Sequence, residues 1–378
     1  MRFADIIGQQ QARQHLLQSV KNGRIPHAQL LFGPPGNGKF ALAVAFAQYI
    51  NCADPQPDDS CGKCPSCLKL SKLAHPDIHF FFPTTTNKKH KKDPESKLYA
   101  EEWRSYISEC RGYPDMNEWY NYLGVENKQG TIFVRDVAEI NRLLGFKPYE
   151  GMFSVIIIWM PEKLHHTAAN KLLKNLEEPP ASTIFLLVAE NPEQVLGTIR
   201  SRCYQLKLPK IAQEDLCTQL VSEYGLGQTE ALQLAILSDG DYLTARQFAR
   251  QPDDQLQQME QFRMWMRLCF DHKYAEITEF ANTTSALGRE RIKSLLEYGL
   301  RIFRFVLLIQ QGQSTLLTAV VHEKEFVSRF ASAVGNVGIE KIAGMFETSI
   351  QHVERNANTS LLISSLSIKL AGIIGRKR

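Results

Sequence analysis

The chain has 378 residues, too many for one compact hydrophobic core, so two or three domains are expected. Charged residues make up 22% and hydrophobic ones 44%, the balance of an ordinary globular protein, and a net charge of +4 is too small to argue for nucleic acid by itself. Met1 to Gly8 contain no apolar stretch of the secretory kind and no uninterrupted apolar run is long enough to span a bilayer, so a cytoplasmic protein without a membrane partner is expected.

From Asp5 to Gln29 the chain reads as a helical lead-in, with Leu16, Leu17 and Val20 on one face and Gly23 and Pro26 ending it. Leu30, Leu31 and Phe32 read as a strand that runs into Gly33, Gly36, Asn37, Gly38 and Lys39, and a strongly helical stretch from Phe40 to Gln48 follows. Strand, glycine loop, lysine and helix form the G-x-x-x-x-G-K arrangement of a P-loop. Its glycines let backbone N–H groups turn toward a phosphate, the helix N-terminus adds its positive end, and Lys39 supplies a point charge. The residue after the lysine should be Ser or Thr, whose hydroxyl holds Mg²⁺. Here it is Phe40, which has no oxygen to offer. ATP or ADP binding stays open on this reading, and the Mg²⁺ site is degraded.

Of eight cysteines, four fall within sixteen residues, as Cys52, Cys61, Cys64 and Cys67. In a reducing compartment such clustering means metal before disulfide. The spacing C-x8-C-x2-C-x2-C suits a tetrahedral Zn²⁺ knuckle, whereas the C-x3-C-P continuation of an iron–sulfur site is absent. With four thiols and no open position the site is expected to be structural.

Asp77 to Phe82 reads as a buried strand. The stretch from Thr84 to Gly130 breaks the pattern, opening on the basic run Lys88–Lys92 and continuing with aromatic helical residues Trp103, Tyr106, Trp119 and Tyr120. Basic and aromatic residues together can contact nucleic acid. A surface insertion with a small apolar face of its own is the favoured reading. A helix from Asp136 to Leu144 and a turn over Lys147–Gly151 lead to Phe153–Trp159, a continuous apolar run of the central parallel-strand kind. In a P-loop ATPase that strand ends in two acids, one for Mg²⁺ and one for the attacking water. Trp159 and Met160 stand there, and Glu162 comes two residues late. Two independent positions have therefore lost their metal-holding oxygens.

Next come a helix from Leu164 stopped by Pro179 and Pro180, a strand over Thr183–Val188, a short helix from Pro192, and Ser201-Arg202-Cys203. With these residues in view the chain resembles the bacterial clamp-loader subunits of the AAA+ class. The resemblance is carried by residues 23–28, the glycine loop, the four-cysteine knuckle, Leu172-Leu-Lys-Asn-Leu-Glu-Glu-Pro-Pro180 and Ser201–Cys203, in the family's order over about the first 210 residues. The degraded loop and missing acids are similar to the delta-prime branch of DNA polymerase III rather than to the ATP-hydrolysing gamma/tau branch.

The resemblance implies an AAA+ P-loop α/β core with a parallel sheet over residues 1–209, holding the zinc knuckle at about 52–70 and the insertion at about 84–130. An all-helical lid over 210–255 and a helical collar over 256–378 would follow. Ile6, Ile7 and Pro26 would lie near an adenine. Arg202 would reach a neighbouring subunit's γ-phosphate as an arginine finger supplied in trans; without the flanking motifs it would read as a surface arginine at a strand edge. Ala189, Glu190 and Leu243 stand where the family's phosphate sensors would fall. Implied partners are gamma/tau and delta subunits, with the sliding clamp and primer–template DNA reached through the assembled complex. From Pro209 onward only helices are expected, among them Glu214–Tyr224, Glu230–Leu237, Asp241–Arg250, Gln258–Phe270, Gly288–Gln310, Val337–Arg355 and Leu361–Ile374, the last stopped by Gly375 ahead of the basic Arg376-Lys-Arg378.

Overall fold

Apart from Ser154 and Thr183, Leu30–Phe32, Phe153–Trp159 and Thr183–Val188 are apolar at every position, and such strands are stable only when both faces of a sheet are covered. The computed structural model, which describes residues 1–125, 128–250, 252–313, 321–334, 338–354 and 357–374, builds this arrangement. Five parallel strands, β1 (Ala28–Phe32), β2 (Ile78–Phe81), β3 (Ser154–Trp159), β4 (Thr183–Ala189) and β5 (Tyr204–Lys207), lie in the order β2-β3-β4-β1-β5. Every residue of β3 and β4 is buried. The edge strand β5 was not expected from the sequence. Of its residues only Leu206 is half-buried, so four residues carry too little alternation to announce a strand, and pairing with β1 creates it.

The crossovers supply the covering layers. They are α1 (Gln10–Lys21), α2 (Lys39–Ile50), α3 (Pro65–Ser71), α4 (Ala100–Glu109), α5 (Met116–Tyr122), α6 (Val134–Leu144), α7 (His166–Glu177) and α8 (Gly197–Arg200). Helix α2 is buried along its whole length, as expected of the rod behind a glycine loop. Three short helices complete this unit, α9 (Gln213–Tyr224), α10 (Gln228–Leu237) and the start of α11 (Tyr242–Arg250). The chain divides into two compact units, Met1–Arg246 and Gln247–Arg378. The second contains, among the described residues, α12 (Pro252–Phe270), α13 (Tyr274–Ala286), α14 (Arg289–Gln310), α15 (Val321–Val334), α16 (Ile339–Glu354) and α17 (Thr359–Ile374) around a core of its own. The expected bounds Val337 and Arg355, the stop at Gly375 and the basic Arg376–Arg378 lie outside the described residues.

The segment from 84 to 130 departs from the surface insertion expected of it. Trp103, Tyr106, Trp119 and Tyr120 are buried and belong to the same core as α2 and β3. The Trp103 ring stacks on Phe82 at 4.1 Å, meets Trp119 edge-on at 5.1 Å, and lies 5.7 Å from Phe40 and 5.2 Å from Trp159. Aromatic pairs at such spacings add to their large buried area. The Trp119 indole donates to the Pro83 carbonyl, and the Tyr99 hydroxyl to the Thr85 carbonyl. The basic run stays outside, with Lys88, Lys89, Lys91 and Lys92 exposed and Lys89 paired with Glu102.

Removing the indole should therefore be costly. Trp103→Ala is expected to destabilise the first unit by about 3–5 kcal/mol, the range for truncating a buried aromatic, read as a lower denaturant midpoint. Trp159→Asp, which returns an acid to the end of β3, should destabilise comparably and create no metal site, because the new carboxylate would face an indole.

Candidate functional site

Three constellations come from the motifs, namely the glycine loop, the cysteine cluster and Arg202. The loop leaves the carboxyl end of β1 at Gly33, and the ends of β3 and β4 arrive beside it, as ligand sites in parallel sheets do. Gly36 and Gly38 have φ values of 64° and 85°, the left-handed conformation that glycine accepts freely. In a phosphate-binding loop these residues and Lys39 stay open to the ligand. Here each is already engaged by the chain itself.

The Lys39 side chain is 7% exposed; its ammonium donates to the Pro34 carbonyl at 2.9 Å and lies 3.9 Å from the Glu190 carboxylate. Burial lowers its pKa, against the pull of Glu190, Glu162 and Asp241. Asn37 is fully buried and donates to the Leu208 carbonyl, while Gln9 donates to the carbonyls of Asn37 and Pro209. The Tyr113 ring lies against Gly38, where a Cβ would come 3.0 Å from its hydroxyl, and that hydroxyl accepts the Ile7 N–H. Asp241 packs on Gly36 so closely that a Cβ there would come 1.7 Å from its carboxylate, and the Tyr242 N–H donates to the Gly36 carbonyl. The same carboxylate accepts the Leu243 N–H and the Thr244 hydroxyl at the start of α11, and burial raises its pKa. An acidic side chain therefore occupies the approach to a loop whose chemistry suits anions.

The metal half of the pocket is altered in kind. Phe40 and Trp159, at the two positions where oxygens would hold Mg²⁺, both pack against Trp103. Glu162 is turned to another task, accepting the backbone N–H groups of Glu190 and Asn191 just past β4. The residues present do not fit a magnesium–triphosphate complex.

The cysteines do fit a metal. The Sγ atoms of Cys52, Cys61, Cys64 and Cys67 all lie within 4.8 Å of one another, with individual separations of 3.6–4.0 Å. Tetrahedral Zn²⁺ with bonds of about 2.3 Å calls for sulfur–sulfur separations of about 3.8 Å. Backbone N–H groups of Cys61, Cys64 and Cys67 point at sulfurs of the cluster. Those of Lys63 and Cys64 draw the Cys61 thiol down to about 6, whereas burial pushes Cys67 up. Such a set of four sulfurs could bind a metal such as zinc. Cys52 follows directly on α2, so the cluster fixes the far end of the helix that begins at the glycine loop. Asp59 accepts the N–H groups of Phe3 and Ala4, and Ser66 pairs with the buried His75, fastening the knuckle to both sides.

Arg202 lies between α8 and β5 on the far edge of the sheet, with its side chain 35% exposed. Its Nε donates to a carboxylate oxygen of Glu177 at the end of α7, a terminal nitrogen makes an ion-pair contact with the same oxygen, and its other terminal nitrogen donates to the Thr198 carbonyl at 2.9 Å. The motifs did not single out Gln9, Tyr113, Asp241 or Glu177. Asp241 sits at a recognisable helix start, and Glu177 precedes a double proline. Which groups these side chains would meet depends on contacts distant in the chain.

A parallel sheet with a glycine loop at the end of β1 defines a P-loop α/β protein, here with an altered metal position and a four-cysteine cluster. A family model described as DNA polymerase III, delta subunit, matches residues 8–212. The chain belongs to this DNA polymerase III delta-prime clamp-loader family. It is 30% identical to DNA polymerase III subunit delta' of Escherichia coli (strain K12) over 225 residues, 60% of this chain and 55% of that one. With the corresponding subunit of Pseudomonas aeruginosa the identity is 30% over 247 residues, 65% of this chain and 61% of that one. The chain thus spans little more than half the length of the curated relatives it matches. A solved structure of a DNA polymerase III gamma subunit-related protein from Thermotoga maritima aligns at 14% identity with a TM-score of 0.43, covering 94% of this chain and 99% of that one. Among the described residues no helix is long and apolar enough to cross a membrane.

Cys64→Ser should remove one corner of the sulfur tetrahedron. The expected outcome is loss of bound zinc, measured by colorimetric release, together with a lowered melting temperature. A variant that stays native and metal-free with unchanged stability would refute the knuckle.

Proposed function

We propose that this chain is a non-hydrolysing, delta-prime-like subunit of a DNA polymerase III clamp loader, a stator in an ATP-driven complex that places a sliding clamp on primed DNA. The observation that carries this reading is an asymmetry within one domain. The chain's own glycine loop is filled by its own side chains, while Arg202 stands half-exposed at the amino end of β5, the strand beside β1. A guanidinium stabilises charge spreading over phosphoryl oxygens, and arginine fingers supplied in trans are typically worth about 10³–10⁵ in rate. Gamma/tau and delta subunits are the proposed neighbours, residues 210–255 the lid, and residues 256–378 the collar through which the subunits hold together.

On this reading the glycine loop has become a structural turn. Triphosphate binding would require Asp241 to leave Gly36 and Lys39 to exchange Pro34 and Glu190 for phosphate, with no metal ligand as compensation. The alternative of a zinc-dependent nucleic-acid-binding module using the basic insertion Lys88–Lys92 keeps its exposed lysines but loses base stacking, since Trp103 and Trp119 are buried.

Two measurements test the proposal. Titration of the isolated chain with ATP up to about 1 mM, the upper end of usual Michaelis constants, should show no saturable binding and negligible hydrolysis; turnover abolished by Lys39→Ala would overturn the sealed loop. In the reconstituted complex, Arg202→Ala should slow ATP hydrolysis with assembly intact by gel filtration, and unchanged turnover would remove the trans role.

A further inference from the structure

We propose that Glu177 is a positioning residue for Arg202, an inference that rests on the trans role argued above and assigns it a second residue. A guanidinium carries five N–H donors. Glu177 takes the Nε donor and makes an ion pair with one terminal nitrogen along the same edge, the Thr198 carbonyl takes a donor from the other terminal nitrogen, and the remaining terminal N–H groups are left for a ligand. One carboxylate and one carbonyl thus fix the plane of the guanidinium while leaving part of it exposed.

The frame behind this pose is rigid. Leu176, Ile199 and Cys203 are the chain neighbours of Glu177, Thr198 and Arg202, and all three are buried in the core beneath α7 and α8. Each of the three interacting groups is therefore anchored one residue away. An ion pair this exposed contributes little to folding, so stability does not account for it. What it does supply is order, because a long side chain held in one rotamer loses less freedom when a phosphate arrives. Glu177 closes α7 immediately before Glu178, Pro179 and Pro180, and the prolines stop the helix with the carboxylate beside Arg202.

The test uses the full chain assembled with its partner ATPase subunits and compares Glu177→Ala, Glu177→Gln, Arg202→Ala and the double variant by steady-state ATP hydrolysis. Glu177→Ala should lower kcat roughly tenfold, within the range for a misplaced group, with KM for ATP little changed. Glu177→Gln, which keeps one acceptor oxygen, should recover part of the loss. The double variant should be no slower than Arg202→Ala alone, the signature of two residues acting as one unit. Unchanged or faster turnover in Glu177→Ala would overturn the proposal, the latter by making Glu177 a competitor for the guanidinium. An equal further loss in the Arg202→Ala background would also overturn it. If Arg202→Ala itself is silent, the trans role fails first, and the positioning proposal falls with it.

Discussion

One indole holds the altered pocket together. Trp103 packs against both Phe40 at the start of α2 and Trp159 at the end of β3, with Phe82 stacked on one face and Trp119 against its edge. The two positions at which a nucleotide-hydrolysing relative needs oxygen atoms are converted together into one apolar contact. Each change alone would leave a defect, since a lone aromatic would have nothing to pack on and a lone acid would be buried without a cation. Made together with the insertion, they extend the core into the place where a metal ion would have been held.

The glycine loop follows from this. Its backbone still makes the turn, because a strand must pass into a buried helix within a few residues and Gly36 and Gly38 permit the left-handed steps. What has changed is what the turn encloses. Lys39 is held by Pro34 and Glu190, Asn37 by Leu208, Gly38 is covered by Tyr113, and Gly36 is blocked by Asp241. Three helices reach the core through the same region. Arg246 of α11 pairs with Glu118 of α5, Arg111 pairs with Glu223 of α9, and Tyr113 packs on Tyr242. These elements are joined by side chains, which suits a subunit whose proposed part is to stay fixed while its neighbours turn over.

At its other end, α2 runs into the cysteine cluster, and across the sheet α7 ends at Glu177 beside Arg202. Both features sit where a helix stops, the first on the core that packs α2 and the second on the separate core beneath α7 and α8. On the proposed trans role, a partner's phosphate would meet a guanidinium held by Glu177 and Thr198, whose chain neighbours Leu176 and Ile199 are buried.

The sequence alone determined whatever depends on near neighbours in the chain. The glycine spacing fixed the turn, the continuous apolar runs fixed the buried strands, the double proline fixed the end of α7, and four cysteines within sixteen residues fixed the cluster, because each is a matter of local geometry. It also revealed the loss of metal ligands, since Phe40 and Trp159 fall at positions counted from their motifs. Only the tertiary structure decided what took the ligands' place. Trp103 and Trp119 show the same helical aromatic pattern whether they face solvent, nucleic acid or the core, and that choice rests on contacts with residues far away in the chain. The strand Tyr204–Lys207 exists through pairing with β1 rather than through its own pattern. The Glu177–Arg202 pair was hidden for the same reason: two charged surface residues look alike in any sequence until a fold brings them together.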